Sequence, residues 1–119
     1  MPGDPASLIY HVCARADWQA AEARGLYRGS RDDVRDGFIH FSTADQVAET
    51  ARKHFAGQDD LVLVAVDARL LGSALRWERS RGDALFPHLY AYLPLSAVRS
   101  AAPLRRAPDG AHLLPELAP

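Results

Sequence analysis

The sequence predicts a single small α+β domain, and three observations carry that expectation. Short runs rich in β-branched and aromatic residues recur at residues 8–13, 38–42 and 61–66. Between them lie two stretches with helix signals, residues 17–25 and 43–57. A length of 119 residues with 48% hydrophobic content is enough for one real core and gives no sign of a linker, a repeat or a second domain. The domain is expected to span residues 1–119, with its core at about 8–102 and an extended tail at 103–119.

Residues 8–13 (LIYHVC) read as the first strand. Asp17 is placed to cap a helix that ends at Gly25, with Trp18, Ala21 and Ala23 as its apolar side and Gly25 as a left-handed stop. Residues 27–37, rich in Arg, Asp, Ser and Gly, read as a loop. Residues 38–42 (FIHFS) form a second strand, whose alternation puts Phe38, His40 and Ser42 on one face and Ile39 and Phe41 on the other. Thr43 and Gln46 have capping-box spacing, and Val47, Ala51 and Phe55 recur every fourth residue, so a helix begins at once and runs to Gly57.

Residues 61–66 (LVLVAV) lack polar alternation, as a strand covered on both faces does. Residues 74–78 (ALRWE) alternate, with Leu75 and Trp77 on one side and Arg76 and Glu78 on the other. After a polar turn, residues 86–93 resume a strand in which Pro87 suits an edge or a start better than a middle. Residues 98–101 are expected to form a last short strand. Beyond them Pro103, Pro108, Pro115 and Pro119 should break any regular element.

A net charge of -1 with both signs spread along the chain argues against duplex nucleic acid or an anionic membrane as partner. Cys13 is the single cysteine, so no internal disulfide forms, and a reducing, cytoplasmic setting is expected. The first seven residues lack the pattern of a targeting segment. The longest apolar run, residues 61–66, is too short to cross a bilayer. Oligomeric state is not legible.

His11, His40 and His88 each sit in an apolar strand-like run, where an imidazole needs hydrogen-bond partners or a shifted pKa. Each alone is ordinarily a satisfied core histidine; three in separate strands of a small domain point to a shared polar cavity holding a small polar ligand. Ser42 and Thr43, where strand hands over to helix, are either a plain N-cap or a phosphate-receiving helix start beside His40. Glu78 is either a solvated residue paired with Arg76 or Arg79, or a group that stabilises a developing cation. Tyr90 and Tyr92 share the strand face of His88, either as core aromatics or as a stack for a planar ring. No metal is expected, since the sequence holds neither His-Glu-x-x-His nor His-x-His. No Gly-x-Ser-x-Gly elbow is present, and Cys13 has no adjacent cation to activate it. His54 and His112 read as surface residues without a role.

Three stretches together resemble a family of small bacterial proteins catalogued as domain of unknown function 952. They are Ile9-Tyr10-His11 with Trp18 and Gly25-Leu26-Tyr27, then Gly37-Phe38-Ile39-His40-Phe41-Ser42-Thr43 with Gln46 and Val47, and Trp77-Glu78 leading to Phe86-Pro87-His88-Leu89-Tyr90. The resemblance runs from about residue 8 to residue 98. It implies an ADP-ribosyltransferase-like grouping, with two short, mostly antiparallel sheets around a cleft, two main helices and a nucleotide-like small-molecule ligand. No permanently bound cofactor is implied; NAD would be a substrate. On this resemblance His11 would hold a ribose, and His40 with Ser42 and Thr43 would pack on the nicotinamide side. Glu78, or the His88 and Tyr90 pair, would act on the reacting ribose. Gln46 and Trp77, which belong to the shared motifs, would join the substrate-binding residues, and Glu78, His40 and His88 the catalytic ones. The chain lacks the Glu-x-Glu or Gln-x-Glu signature of better-known members, which speaks against transfer to a protein acceptor and leaves dissociative cleavage of a nicotinamide glycoside. Two alternatives stay open, a non-catalytic module binding a nucleotide or phosphometabolite, and a metal-dependent hydrolase using the same histidines.

Overall fold

The computed structural model describes residues 8–117, so the expectations for the first seven residues and for Pro119 lie outside the described residues. β1 (Leu8–Ala14) passes directly into α1 (Arg15–Arg24). Asp17 does not cap that helix. The helix starts two residues earlier, with Ala14 as an N-cap that has no side-chain acceptor, and the Arg15 N–H goes to the Asp60 carbonyl at 2.7 Å. Asp17 instead adds a negative charge to the first turn, where the helix dipole favours it. Trp18 and Ala21 are buried and Ala23 is exposed. Gly25, at φ 89, ends the helix as expected and returns its N–H to the Ala21 carbonyl at 2.8 Å.

The stretch read as a loop holds two elements. β2 (Leu26–Tyr27) buries Tyr27, and α2 (Arg31–Asp36) starts at a reciprocal capping box between Ser30 and Asp33. β3 (Ile39–His40) is shorter than the strand expected there, though Ile39 and Phe41 do turn to the core. α3 (Val47–His54) begins later than its sequence signal. The Gln46 side chain does reach back to the Thr43 N–H at 3.0 Å, but the Thr43 carbonyl takes the Gln46 and Val47 amides in a turn, leaving Gln46 as N-cap.

β4 (Leu61–Asp67) is buried along its whole length. β5 (Leu75–Arg79) and β6 (Leu85–Leu89) pair antiparallel, and β7 (Leu93–Pro94) pairs with β2. Pro87 lies in the middle of β6, the central strand of the order β3-β6-β5, against expectation. It is tolerated because the β3 ladder stops at His40 opposite His88. The Pro87 carbonyl accepts the Phe41 N–H at 3.0 Å, and no donor is needed beyond that point.

β8 (Val98–Arg106) runs well past the short strand expected, through Pro103, and β9 (His112–Leu113) folds back on Arg105 and Arg106. The tail is therefore not uniformly extended. Pro103 sits where β8 still has no partner on its outer side, so the missing N–H costs no ladder bond.

The strands make three antiparallel sheets, β1-β4-β8-β9, β2-β7 and β3-β6-β5, rather than two. A paired backbone bridge between Tyr10 and Ser42, 2.8 Å in each direction, joins the first and third sheets. Alternation along β1 and β4 feeds two apolar clusters. Ile9, Cys13, Val62, Val64 and Val66 go to one, and Tyr10, Val12, Leu61, Leu63 and Ala65 to the other. No helix of the described residues is long and apolar enough to cross a membrane.

Candidate functional site

His11 occupies the cluster face of β1 between Ile9 and Cys13, so its ring must be satisfied inside the protein. Its Nδ1–H donates to the His40 carbonyl at 2.5 Å, which leaves Nε2 to accept the Tyr27 hydroxyl at 2.7 Å. Burial holds its pKa below the ordinary value, so His11 is a neutral, fully partnered imidazole. Tyr27 is likewise pushed up by burial and stays a phenol. Cys13 is pushed up to about 12, again by burial, and is inert as a nucleophile.

Asp33, third residue of α2, is the hub that sequence reading missed. One carboxylate oxygen accepts the His40 Nδ1–H at 2.6 Å and the His40 backbone N–H at 3.1 Å; the other accepts the Ser30 N–H at 2.7 Å. Burial alone would raise this carboxyl, but those hydrogen bonds outweigh it and hold it below the usual range. The second ring nitrogen of His40 lies 3.0 Å from Asp36. His40 is therefore pinned between two carboxylates, its pKa raised first of all by the Asp33 bond, against partial desolvation. As an imidazolium it gives both N–H groups to the protein and keeps none for a ligand. The one sequence signal for this hub was the Ser30-x-x-Asp33 spacing, whose aspartate replaces the usual Glu or Gln of a capping box.

His88 is arranged differently. Its Nδ1–H donates to Glu78 Oε1 at 2.8 Å, and the Tyr90 hydroxyl donates to the same oxygen at 2.7 Å. The Tyr90 and His88 bonds draw the Glu78 carboxyl below its ordinary value and keep it ionised. With Nδ1 fixed as the donor, His88 Nε2 carries the lone pair, and among the described residues it meets no hydrogen-bond partner. The His88 ring stacks on Phe38 at 4.1 Å and meets the His40 ring edge-on at 5.7 Å.

His11, His40 and His88 line one cavity of about 260 Å³, together with Ser42, Asp33 and Asp36. His54, read as a surface residue without a role, also lines it. Glu78 stands behind His88, and the two claimants to one role, Glu78 on one side and the His88 and Tyr90 pair on the other, form one hydrogen-bonded cluster of three residues. Ser42 is buried with its hydroxyl against Thr50 at 2.8 Å, and the amides of Thr43, Gln46 and Val47 are bonded within the turn. Gln46 is likewise occupied, its amide donating to the Leu85 carbonyl at 2.8 Å. Trp77, 45% exposed on the face of β5 away from Glu78, is not part of the cavity. Among the described residues no group of three or more His, Cys, Asp or Glu is arranged to hold a metal ion.

The sequence model of a family described as protein of unknown function (DUF952) matches residues 12–101. Among solved structures, a crystal structure of protein CC0527 from Caulobacter crescentus is 51% identical, with a TM-score of 0.86, covering 89% of this chain and 93% of that chain. A solution NMR structure of the same protein gives 52% identity and a TM-score of 0.79, with 87% and 90% covered. No curated protein matches the chain.

Proposed function

The chain belongs to the DUF952 family of proteins of unknown function, and from the geometry of its cavity we propose that it is an enzyme that cleaves a nucleotide-like glycoside, NAD or an ADP-ribose derivative. The observation that carries this reading is the Glu78–His88 pair, in which a carboxylate fixes one ring nitrogen of a cavity-lining histidine and the other meets no hydrogen-bond partner among the described residues. In the proposed step the bond from the ribose carbon to the nicotinamide nitrogen breaks. Its electron pair leaves with nicotinamide, a water oxygen bonds to the cationic ribose carbon, and His88 Nε2 takes the water proton. Glu78 stabilises the imidazolium that results.

The charge of the cavity supports the substrate class. Asp32, Asp33 and Asp36 line it, with Glu78 behind, against Arg35 and the His40 imidazolium, so the site favours a pyridinium glycoside and its cationic transition state over a phosphate. A volume of about 260 Å³, at the low end for ligand pockets, suits a ring and its sugar rather than a whole dinucleotide. The ADP-ribosyltransferase-like grouping belongs to the same proposal, supported by a cavity that takes side chains from two sheets.

The test is release of nicotinamide from NAD by the purified protein. Glu78→Gln and His88→Gln should each lower turnover by about 100-fold while binding stays within a few-fold. Binding of NAD or ADP-ribose without turnover would replace this reading with a non-catalytic binding module, and turnover unchanged in both variants would remove the assigned roles.

A further inference from the structure

Beside the histidine cavity lies a second, more open hollow of about 650 Å³, lined by Phe38, Tyr90, Tyr92, Val34 and Arg28. The two hollows share Asp33, and the Phe38–His88 stack stands between them, with His88 in the first lining and Phe38 in the second. Its walls are apolar yet open to solvent: Tyr90 is 40%, Tyr92 59% and Val34 68% exposed. Aromatic side chains gathered around one concavity, rather than scattered singly, are what a planar ring needs for stacking. The lining carries one cation, Arg28, beside the shared Asp33, whose carboxylate is already bonded to His40 and Ser30. The Arg28 guanidinium lies 5.8 Å over the Tyr92 ring and that of Arg76 lies 5.0 Å over Tyr90. Among the described residues neither has a carboxylate within ion-pair distance, whereas Arg35, Arg69, Arg79 and Arg106 are all paired.

We infer that this hollow is a second subsite, which takes the neutral aromatic base and the phosphate of a nucleotide, with Tyr92 and Tyr90 stacking the base and Arg28 meeting the phosphate. That it serves the same ligand as the first cavity rests on the reading above. An acidic pocket for a cationic ring, and an aromatic hollow with the Arg28 guanidinium on its wall for a neutral ring and its phosphate, are matched to the two ends of a pyridinium dinucleotide. Glu78, bonded to His88 on one side and Tyr90 on the other, links the two subsites.

Calorimetric titration with AMP, ribose 5-phosphate and nicotinamide riboside, followed in parallel by NMR, tests it. AMP should bind and shift the Phe38, Tyr90 and Tyr92 resonances. Tyr92→Ala, a change at an exposed side chain, should weaken AMP at least fivefold and leave ribose 5-phosphate unchanged. Arg28→Gln should weaken both phosphates at least fivefold, and nicotinamide riboside should stay within twofold in either variant. The inference is overturned if AMP fails to bind, if AMP shifts His11 and His88 instead of the tyrosines, or if Tyr92→Ala binds AMP as the parent does. Binding of AMP as described without binding of nicotinamide riboside would uphold the hollow and count against the glycoside reading.

Discussion

At the scale of single residues, the three histidines do three different jobs because each meets a different partner. His11 gives its proton to a backbone carbonyl and stays neutral; His88 gives its proton to Glu78 and keeps a lone pair for the cavity. His40, between Asp33 and Asp36, is held as a cation. The last state has a pH signature. The native pKa of His40 lies above its ordinary value of 6.5, so the native state binds more protons than the unfolded chain between those values. Its stabilisation is complete below about 6.5 and is lost as pH rises through the native value. Denaturation of the parent and of His40→Gln from pH 6 to pH 9 should show a gap that is widest at pH 6 and narrows as pH rises. A gap that widens with pH would sink the imidazolium assignment. That His11, His40 and His88 could share a polar cavity was legible from their apolar, strand-like surroundings. Asp33 was not, because a run of Arg and Asp looks like a solvated loop until its capping geometry is known.

At the scale of elements, α2 connects fold to site. Six residues are too few for a helix to persist without tertiary support, so the Ser30 cap and the burial of Asp33 must sustain each other. Ser30→Ala removes the Oγ acceptor of the Asp33 N–H, 3.2 Å away, at a cost of about 1 kcal/mol. It should also loosen the Asp33 carboxylate that positions His40. Urea denaturation should report that loss, and the His40 ring resonances should move with it; a shift in stability with unchanged His40 signals would separate the cap from the site. Elements whose signal is intrinsic to the residues, β1, β4 and the Gly25 stop of α1, were legible from the chain. Those that depended on the neighbouring strand were not. Pro87 and Pro103 read as breakers because the sequence does not say which side of a strand lacks a partner, and both sit where a missing N–H is harmless. The Thr43 and Gln46 signal marked a real turn, but tertiary bonding moved the helix start to Val47.

At the scale of the whole molecule, β4 is the element on which both apolar clusters depend. Val62, Val64 and Val66 enter the cluster that includes Trp18, Tyr27 and Leu89, next to His11, while Leu61, Leu63 and Ala65 enter the one under α3 with Val47 and Tyr10. Neither cluster can form without this strand, and the Tyr10 and Ser42 bridge ties the sheet that carries it to the strand that carries His40. Unfolding should therefore be one cooperative transition. Leu63→Ala, at a residue 5% exposed, should cost about 2–5 kcal/mol by lost burial and the cavity left behind. Because the lost contacts belong to the cluster away from His11, a modular molecule would keep the histidine cavity intact in that variant. A cooperative one would lose both together. Near-ultraviolet circular dichroism, sensitive to Trp18 and Tyr27 in the first cluster, should melt at the same temperature as the far-ultraviolet signal in the parent and in Leu63→Ala, both lowered equally by the substitution. Two separate melting temperatures in Leu63→Ala would show instead that the clusters unfold independently and that β4 does not couple the core to the site.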